Sequence, residues 1–167
     1  MKYCDNFEKL CEALEGAGAF LVVEDRIGRV NAMTIGWAQA GVIWGQPIMT
    51  VLVRPSRHTH ALLENATHFS VCVPRRGELK KELAFCGSKS GRDYDKIRAC
   101  ALTLKEGVEK KLKYLAGCEL VYQCELSGKT ELKRETLAPA DLAKYYPGHD
   151  APHTLYFGKI LKAEKFQ

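Results

Sequence analysis

The spacing of apolar positions is helical only at the start of the chain and strand-like for most of the rest. Phe7, Leu10, Cys11 and Leu14 fall at i, i+3, i+4 and i+7, one face of a helix. Asp5 with Glu8 has the form of a capping box, and Gly16 is a stop signal. "AFLVVEDRIGRVNAMTIGW" then reads as a strand, a turn at "DRIG" and a second strand. "PIMTVLVRP" is a strand apolar enough to be buried on both faces. Ser56 can cap a helix over "RHTHALLENA", with Ala61, Leu62 and Ala66 inward. "THFSVCVP" alternates at Phe69, Val71 and Val73. "GELKKELAFCG" is a short helix ending at Gly87. "CELVYQCELSG" alternates at Leu120, Tyr122, Cys124 and Leu126. "APADLAKYYPG", within the insertion 138–152, is helical and bounded by Pro139 and Pro147, and "HTLYFGKILKAEKF" is the last strand. Strands dominate and hairpin-like neighbours are mixed with short helices. The expected fold is one domain, 1–167, mainly β with peripheral α-helices: an antiparallel barrel, not a doubly wound sheet.

Composition narrows the function classes. A net charge of +5 fits a small anionic ligand. The densest basic run, "KEGVEKKLK", is interrupted by Glu and is expected to be a solvated helix face. Aromatic residues are not clustered among basic ones, so a nucleic-acid-binding barrel is disfavoured. No apolar run approaches the ~20 residues needed to span a bilayer, and the N-terminus has no apolar h-region. Seven cysteines form no C-x-x-C pair and no zinc spacing with His. The expectation is a reduced, cytoplasmic chain without metal, membrane or nucleic-acid partners, its cysteines serving as small core residues.

Four stretches carry candidate chemistry. "CGSKSGRDYDKI" (86–97) sets Ser88, Ser90, Lys89, Arg92 and Lys96 around Gly87 and Gly91. It is not a Walker A loop; it is either an anion cradle or a turn between helices. "RPSRHTHALL" puts Arg57 and Thr59 at a predicted helix start. Free N–H groups there favour an anion, unless the stretch is an ordinary capped helix with a surface Arg. "NAMTIGW" places Asn31, Met33 and Trp37 on one strand face and Thr34 and Gly36 on the other. Gly36 permits close approach of a flat ligand or marks a bulge. "HTLYFGKI" opens on His153. His58, His60, His68 and His149 are expected to be structural. Cys86 is either a thiol activated by the cations or a small buried residue.

Taken together and in this order, the four stretches resemble the flavin reductase-like family, the FMN-binding split barrel, over about Ala19 to Leu161. "SGRDYDK" is similar to its S-G-R-D-x-D-K signature, "NAMTIGW" to its N-x-M-T-x-x-W strand, "RPSRHT" to its R-P-x-R-x-T turn, and "HTLYFGKI" to its closing strand. The resemblance implies a homodimer of six-stranded antiparallel barrels with FMN near the subunit interface. It implies that Asn31, Met33, Thr34 and Trp37 line the isoalloxazine and ribityl region, that Arg57 and Thr59 meet the phosphate, that Ser90, Gly91 and Lys96 come from the 86–97 loop to the anion site, with Lys96 near the phosphate or ring, and that His153 approaches the ring. Gly36 departs from the usual Ser, Lys159 from the usual Glu, and the chain ends soon after the last strand, where many relatives carry a tail.

The activity so implied is that of an FMN oxidoreductase taking hydride from NADH or NADPH onto flavin N5 and serving a small-molecule or protein acceptor. The cofactor carries the chemistry, so no catalytic residue is assigned; Lys96 and His153 are ligand-positioning candidates. The alternative is a flavoredoxin-like electron carrier without nicotinamide turnover. No G-x-G-x-x-G fingerprint decides between them.

Overall fold

The computed structural model describes residues 2–166. Seven strands form one sheet: β1 (Ala19–Asp25), β2 (Val30–Ile35), β3 (Ala38–Ile43), β4 (Gln46–Val53), β5 (Ala66–Pro74), β8 (Cys118–Glu131) and β9 (Thr154–Lys165). The two short strands between β5 and β8, β6 (Leu104–Glu106) and β7 (Lys113–Leu115), pair only with each other. The large sheet runs β2-β1-β5-β8-β9-β4-β3, and every pairing in it is antiparallel.

Its two outermost strands, β2 and β3, are joined by Gly36 and Trp37 alone. A flat seven-stranded sheet would separate its edges by roughly 29 Å, six spacings of ~4.8 Å. The link from Ile35 to Ala38 spans at most about 10 Å. The sheet must therefore curl, and β2 comes against β4. The strand count is seven rather than the expected six because the path from β1 to β4 is one strand bent at Gly36–Trp37. Its first half pairs with β1 and its second with β4. β3 escapes prediction because "AQAGVI" has no fully buried position and so no apolar alternation. Its hairpin turns on Trp44 and Gly45, both at positive φ (54° and 68°), between the paired Ile43 and Gln46. That is the geometry a two-residue turn needs to follow strand twist.

Two cores explain why β1 and β5 are apolar on both faces. Inside the barrel, Leu21, Val23, Met49, Phe69, Val71 and Tyr122 pack together. Outside it, Phe20, Val22, Cys72 and Val121 pack against Leu83, Cys86 and Leu115. Those covering residues come from α3 (Lys80–Ser88) and the β6–β7 hairpin, with Ile97 of α4 (Lys96–Ala99) alongside. Each large apolar side chain so buried contributes about 1.5–3 kcal/mol. The second core matters for function, because it fixes the loop between α3 and α4 against β2.

Three local expectations are corrected. α1 (Phe7–Glu15) starts after Asn6, and the Asp5 carboxylate accepts from the Lys2 N–H instead of closing a capping box. α2 is only His58–Leu63, and no Ser56 cap forms. Its inward residues are Thr59, Leu62 and Leu63, while Ala61 is exposed and Ala66 pairs with Asp25 in the sheet. Sheet pairing outcompetes the helical reading there. "KEGVEKKLK" is the β6–β7 hairpin, not a helix face. Gly107 lies where a side chain would overlap Leu112, which is fully buried, and Lys113 pairs with Glu106 and Glu24.

Candidate functional site

At the edge of the barrel, β2, the start of α2 and the loop from α3 to α4 enclose a cleft of about 120 Å³. The loop is built by its own hydrogen bonds. The Ser90 carbonyl accepts from the Asp93 and Tyr94 N–H groups, Ser90 Oγ accepts from the Arg92 N–H at 3.1 Å, and Asp95 caps α4 by accepting from the Arg98 N–H. This turn buries Lys96, the first residue of α4, to 4% exposure. Lys96 Nζ donates to the Cys86 carbonyl at 2.8 Å. A side chain at Gly91 would overlap Asn31 Oδ1 and come within 2.7 Å of His58 Cδ2, so only glycine lets the loop close on β2. Asn31 Nδ2 donates to Thr59 Oγ1 at 2.7 Å, tying β2 to α2. Thr34 Oγ1 donates to the Leu83 carbonyl at 2.6 Å, tying β2 to α3.

The lining of this cleft includes Arg57, His58, Lys89, Arg92 and Lys96 and no Asp or Glu. Among the described residues no carboxylate pairs with Lys96. Burial lowers the Lys96 pKa; Cys86 opposes this, and Arg57 adds to the lowering. Burial lowers the His58 pKa as well, followed by Arg92, Arg29 and Lys96. A buried cation without a counter-charge is costly. A site that holds one and surrounds it with further cations is complementary to an anion. With only six residues, α2 adds little dipole; side-chain charge dominates. The Cys86 thiol is 1% exposed and burial pushes its pKa up to about 12. It is the small buried residue, not an activated thiol.

A second cleft of about 190 Å³ adjoins the first and shares Met33, Thr34 and Arg57 with it. Its other walls are Ile35, Gly36, Trp37, Leu52, Arg54 and His153. Trp37, 37% exposed, meets the His153 ring at 4.8 Å and the edge of Tyr145 at 5.0 Å. Tyr145 ends α5 (Pro139–Tyr145) of the insertion, and Tyr146 follows. The Tyr146 hydroxyl lies 2.7 Å from His153 Nδ1. Arg54 clamps this segment. It donates to the Tyr145 carbonyl at 2.6 Å, pairs with Asp150 at 3.3 Å and lies over the Tyr146 ring at 5.1 Å. Burial, then Arg54 and Arg57, push the His153 pKa down to about 4, so the ring is neutral at physiological pH.

All ten residues singled out from the sequence line one cleft or the other. Asn31, Thr59, Ser90, Gly91 and Lys96 are in the cationic cleft, Trp37 and His153 in the aromatic one, and Met33, Thr34 and Arg57 in both. His60 and His68 contact Thr154 and Thr67 instead, and His149 is exposed. His58, expected to be structural, lines the cationic cleft. The sequence reading assigns no role to Arg54, although it opens the "RPSRHT" stretch, and misses Tyr145 and Tyr146, whose signal is the aromatic pair beside Pro147. Among the described residues no group of three or more His, Cys, Asp or Glu is placed to hold a metal ion. No described helix is long and apolar enough to cross a membrane.

The fold and the sequence both have known counterparts. A protein of Archaeoglobus fulgidus is 27% identical over 152 residues, covering 91% of this chain and 74% of its own. The crystal structure of an FMN-binding protein from Thermus thermophilus superposes with a TM-score of 0.69 at 25% identity, covering 90% of this chain and 70% of that one. Flavoredoxin from Methanosarcina acetivorans gives a TM-score of 0.69 at 21% identity over 89% of this chain and 68% of its own. The antiparallel barrel is thus the split barrel of such proteins. The sequence profile of the flavin reductase like domain matches residues 15–165, and the chain belongs to that family.

Proposed function

We propose that the two clefts form one FMN site, with the phosphate in the cationic cleft and the ring system in the aromatic one, and that the protein is an NAD(P)H-dependent flavin reductase. The observation that carries this reading is Lys96: a buried cation with no carboxylate partner among the described residues, in a cleft lined by cations and free of acids. When bound, FMN supplies the redox chemistry, taking hydride at N5 from NADH or NADPH and giving electrons to an acceptor.

The chain's own groups position the ligand. Lys96, Arg57 and Arg92 neutralise the phosphate. Thr59 accepts from Asn31, which leaves its own hydroxyl proton for a phosphate oxygen. Thr34 spends its proton on Leu83, so toward a ligand it can only accept. Serine and glycine of the loop, Ser90 and Gly91, set the loop's distance from β2. Met33 and Trp37 supply apolar and aromatic surface, and nothing lies within 4 Å of a Cβ added at Gly36, leaving that wall open. Neutral His153 brings hydrogen-bonding capacity without charge.

The test is a visible absorption spectrum after FMN loading and desalting, followed by anaerobic NADH and then NADPH. Retained flavin absorbance that bleaches is expected. No retained flavin would mean either that FMN is a loosely bound substrate or that the site is lost, and a calorimetric titration showing no FMN binding would overturn the site. Flavin that stays oxidised with both nucleotides would favour the second reading, an FMN electron carrier, which the likeness to flavoredoxin supports. The electron donor is then a protein partner rather than a nicotinamide. We also read the working form as a homodimer. Val42 and Trp44, 65% and 66% exposed at the β3–β4 hairpin, give an apolar surface for it, and a monomer by sedimentation that still holds FMN would end that reading.

A further inference from the structure

The insertion between β8 and β9 has a definite task. We propose that Tyr146 is a positioning residue: its hydroxyl donates to His153 Nδ1, holds the neutral ring as the Nε2–H tautomer, and so presents a single N–H donor to the ligand of the aromatic cleft. The identity of that ligand as a flavin ring rests on the function proposed above; the tautomer does not.

The geometry is one contact, the Tyr146 oxygen 2.7 Å from His153 Nδ1, which either group could in principle donate. Chemistry selects the direction. A phenol O–H is the stronger donor and a bare imidazole nitrogen the stronger acceptor, since the phenol is the more acidic partner and a neutral imidazole N–H gives up its proton far less readily. The Arg54 guanidinium over the Tyr146 ring draws on the phenol's electron density and strengthens it as a donor. Arg54 and Arg57 face His153 from the turn that follows β4, and Tyr146 faces it from the insertion. Among the described residues no carboxylate pairs with His153, and Asp150 is paired with Arg54. Nothing there stabilises an imidazolium, so the ring carries one proton. With Nδ1 engaged, that proton is on Nε2, which has no hydrogen-bond partner among the described residues.

The arrangement is held from outside the barrel. Tyr146 is 4% exposed, and its carbonyl accepts from Arg134 at 3.2 Å. Arg134 also reaches the Asp150 carbonyl at 2.8 Å. Two arginines therefore pin the backbone at Tyr145 and Tyr146, and the burial of the ring with Arg54 over its face holds it toward His153.

The experiment is a long-range proton–nitrogen correlation of the imidazole in ¹⁵N-labelled protein, with and without FMN, on wild type and Tyr146→Phe. The His153 signals are assigned by their loss in His153→Gln. Wild type is expected to show protonated Nε2 and bare Nδ1. In Tyr146→Phe the two nitrogens should move toward averaged shifts and the His153 titration midpoint should rise, because the neutral form loses its donor. FMN and riboflavin should both bind about 2- to 10-fold more weakly, the worth of one neutral hydrogen bond. A protonated Nδ1 in wild type, or an unchanged His153 spectrum in Tyr146→Phe with the amide spectrum intact, would overturn the assignment. A changed tautomer in protein that binds no FMN would leave the positioning role standing and remove the flavin reading. FMN binding with an unchanged tautomer would do the reverse.

Discussion

The two clefts use the same residue type in opposite ways. In the cationic cleft Lys96 is buried with no acid beside it among the described residues, and Arg57, Lys89 and Arg92 share a lining that contains no carboxylate. In the aromatic cleft Arg54 is already matched, by Asp150 and the Tyr145 carbonyl, and works as a clamp on the insertion. One end of the groove is an unmet charge; the other is a neutral, braced aromatic surface. The first should bind by electrostatics and the second by stacking and shape.

The sharpest way to break this contrast is Lys96→Met. A charge-assisted hydrogen bond is worth about 1.5–3 kcal/mol, so FMN affinity should fall about 10- to 100-fold. Riboflavin, which lacks the phosphate, should lose far less. The unliganded protein sheds an unpaired buried cation but loses the hydrogen bond from Lys96 to the Cys86 carbonyl, so the two effects offset and its stability should change little. Equal losses for FMN and riboflavin in a calorimetric titration would mean that Lys96 does not serve the phosphate end. Gly91→Ala comes next. Its Cβ would collide with Asn31 and His58, and overpacking of that kind costs about 1–3 kcal/mol. Thermal unfolding should report it, with FMN affinity falling more than riboflavin affinity.

The contrast also explains what the sequence could and could not disclose. The cationic cleft is assembled from short contiguous stretches whose residue types state their chemistry: glycines, hydroxyls and cations in 86–97, Arg57 and Thr59 after a strand, Asn31 in a strand that should not want it. The aromatic cleft is assembled across the chain, from Trp37, Arg54, Tyr145, Tyr146 and His153. Tyr145 and Tyr146 sit in a helix–Pro segment whose period announces only a helix. Arg54 reads as an ordinary charge at a strand end until the fold brings Asp150 to it. The same limit applies to the fold. Strands with apolar periodicity were legible, but β3 has none and is defined only by its partner β4. "KEGVEKKLK" has charges spaced as on a helix and becomes a hairpin because Leu112 has a hole to fill.

Arg54→Ala tests the clamp. Removing it frees Tyr145, Tyr146 and Asp150 together, so amide exchange in 132–153 should quicken at least tenfold while the barrel strands stay protected. Protection unchanged in that segment would show that Arg134 alone holds it. Acid offers a milder probe of the same end. Folded His153 takes its proton only near pH 4, whereas the unfolded side chain does so near 6.5. Between those values the unfolded state binds more protons, so stability falls as pH drops from about 6.5 to 4 and this contribution levels off below. His58 and His60, also lowered by burial, act in the same direction. Denaturant titrations of wild type and His153→Gln should diverge in slope across that window, and parallel curves would mean that His153 is not held neutral.

The smallest effect is expected at Gly36, where the chain bends between β2 and β3. A Cβ added there meets nothing within 4 Å, and the residue is not at positive φ, so neither space nor backbone demands glycine. Gly36→Ser should therefore shift stability by less than about 0.5 kcal/mol, the range of substitutions that touch no packed or strained feature. Its hydroxyl would project from a wall that belongs to the aromatic cleft and not to the cationic one. If a flavin ring lies there, FMN and riboflavin should gain affinity together, by a few-fold at most, the net worth of one exposed hydrogen bond. A gain for FMN alone would place the phosphate near Gly36 and reverse the assignment of the two ends. A marked loss of stability would mean that the bend needs the freedom of glycine, and that the open wall is a feature of the fold before it is a feature of the site.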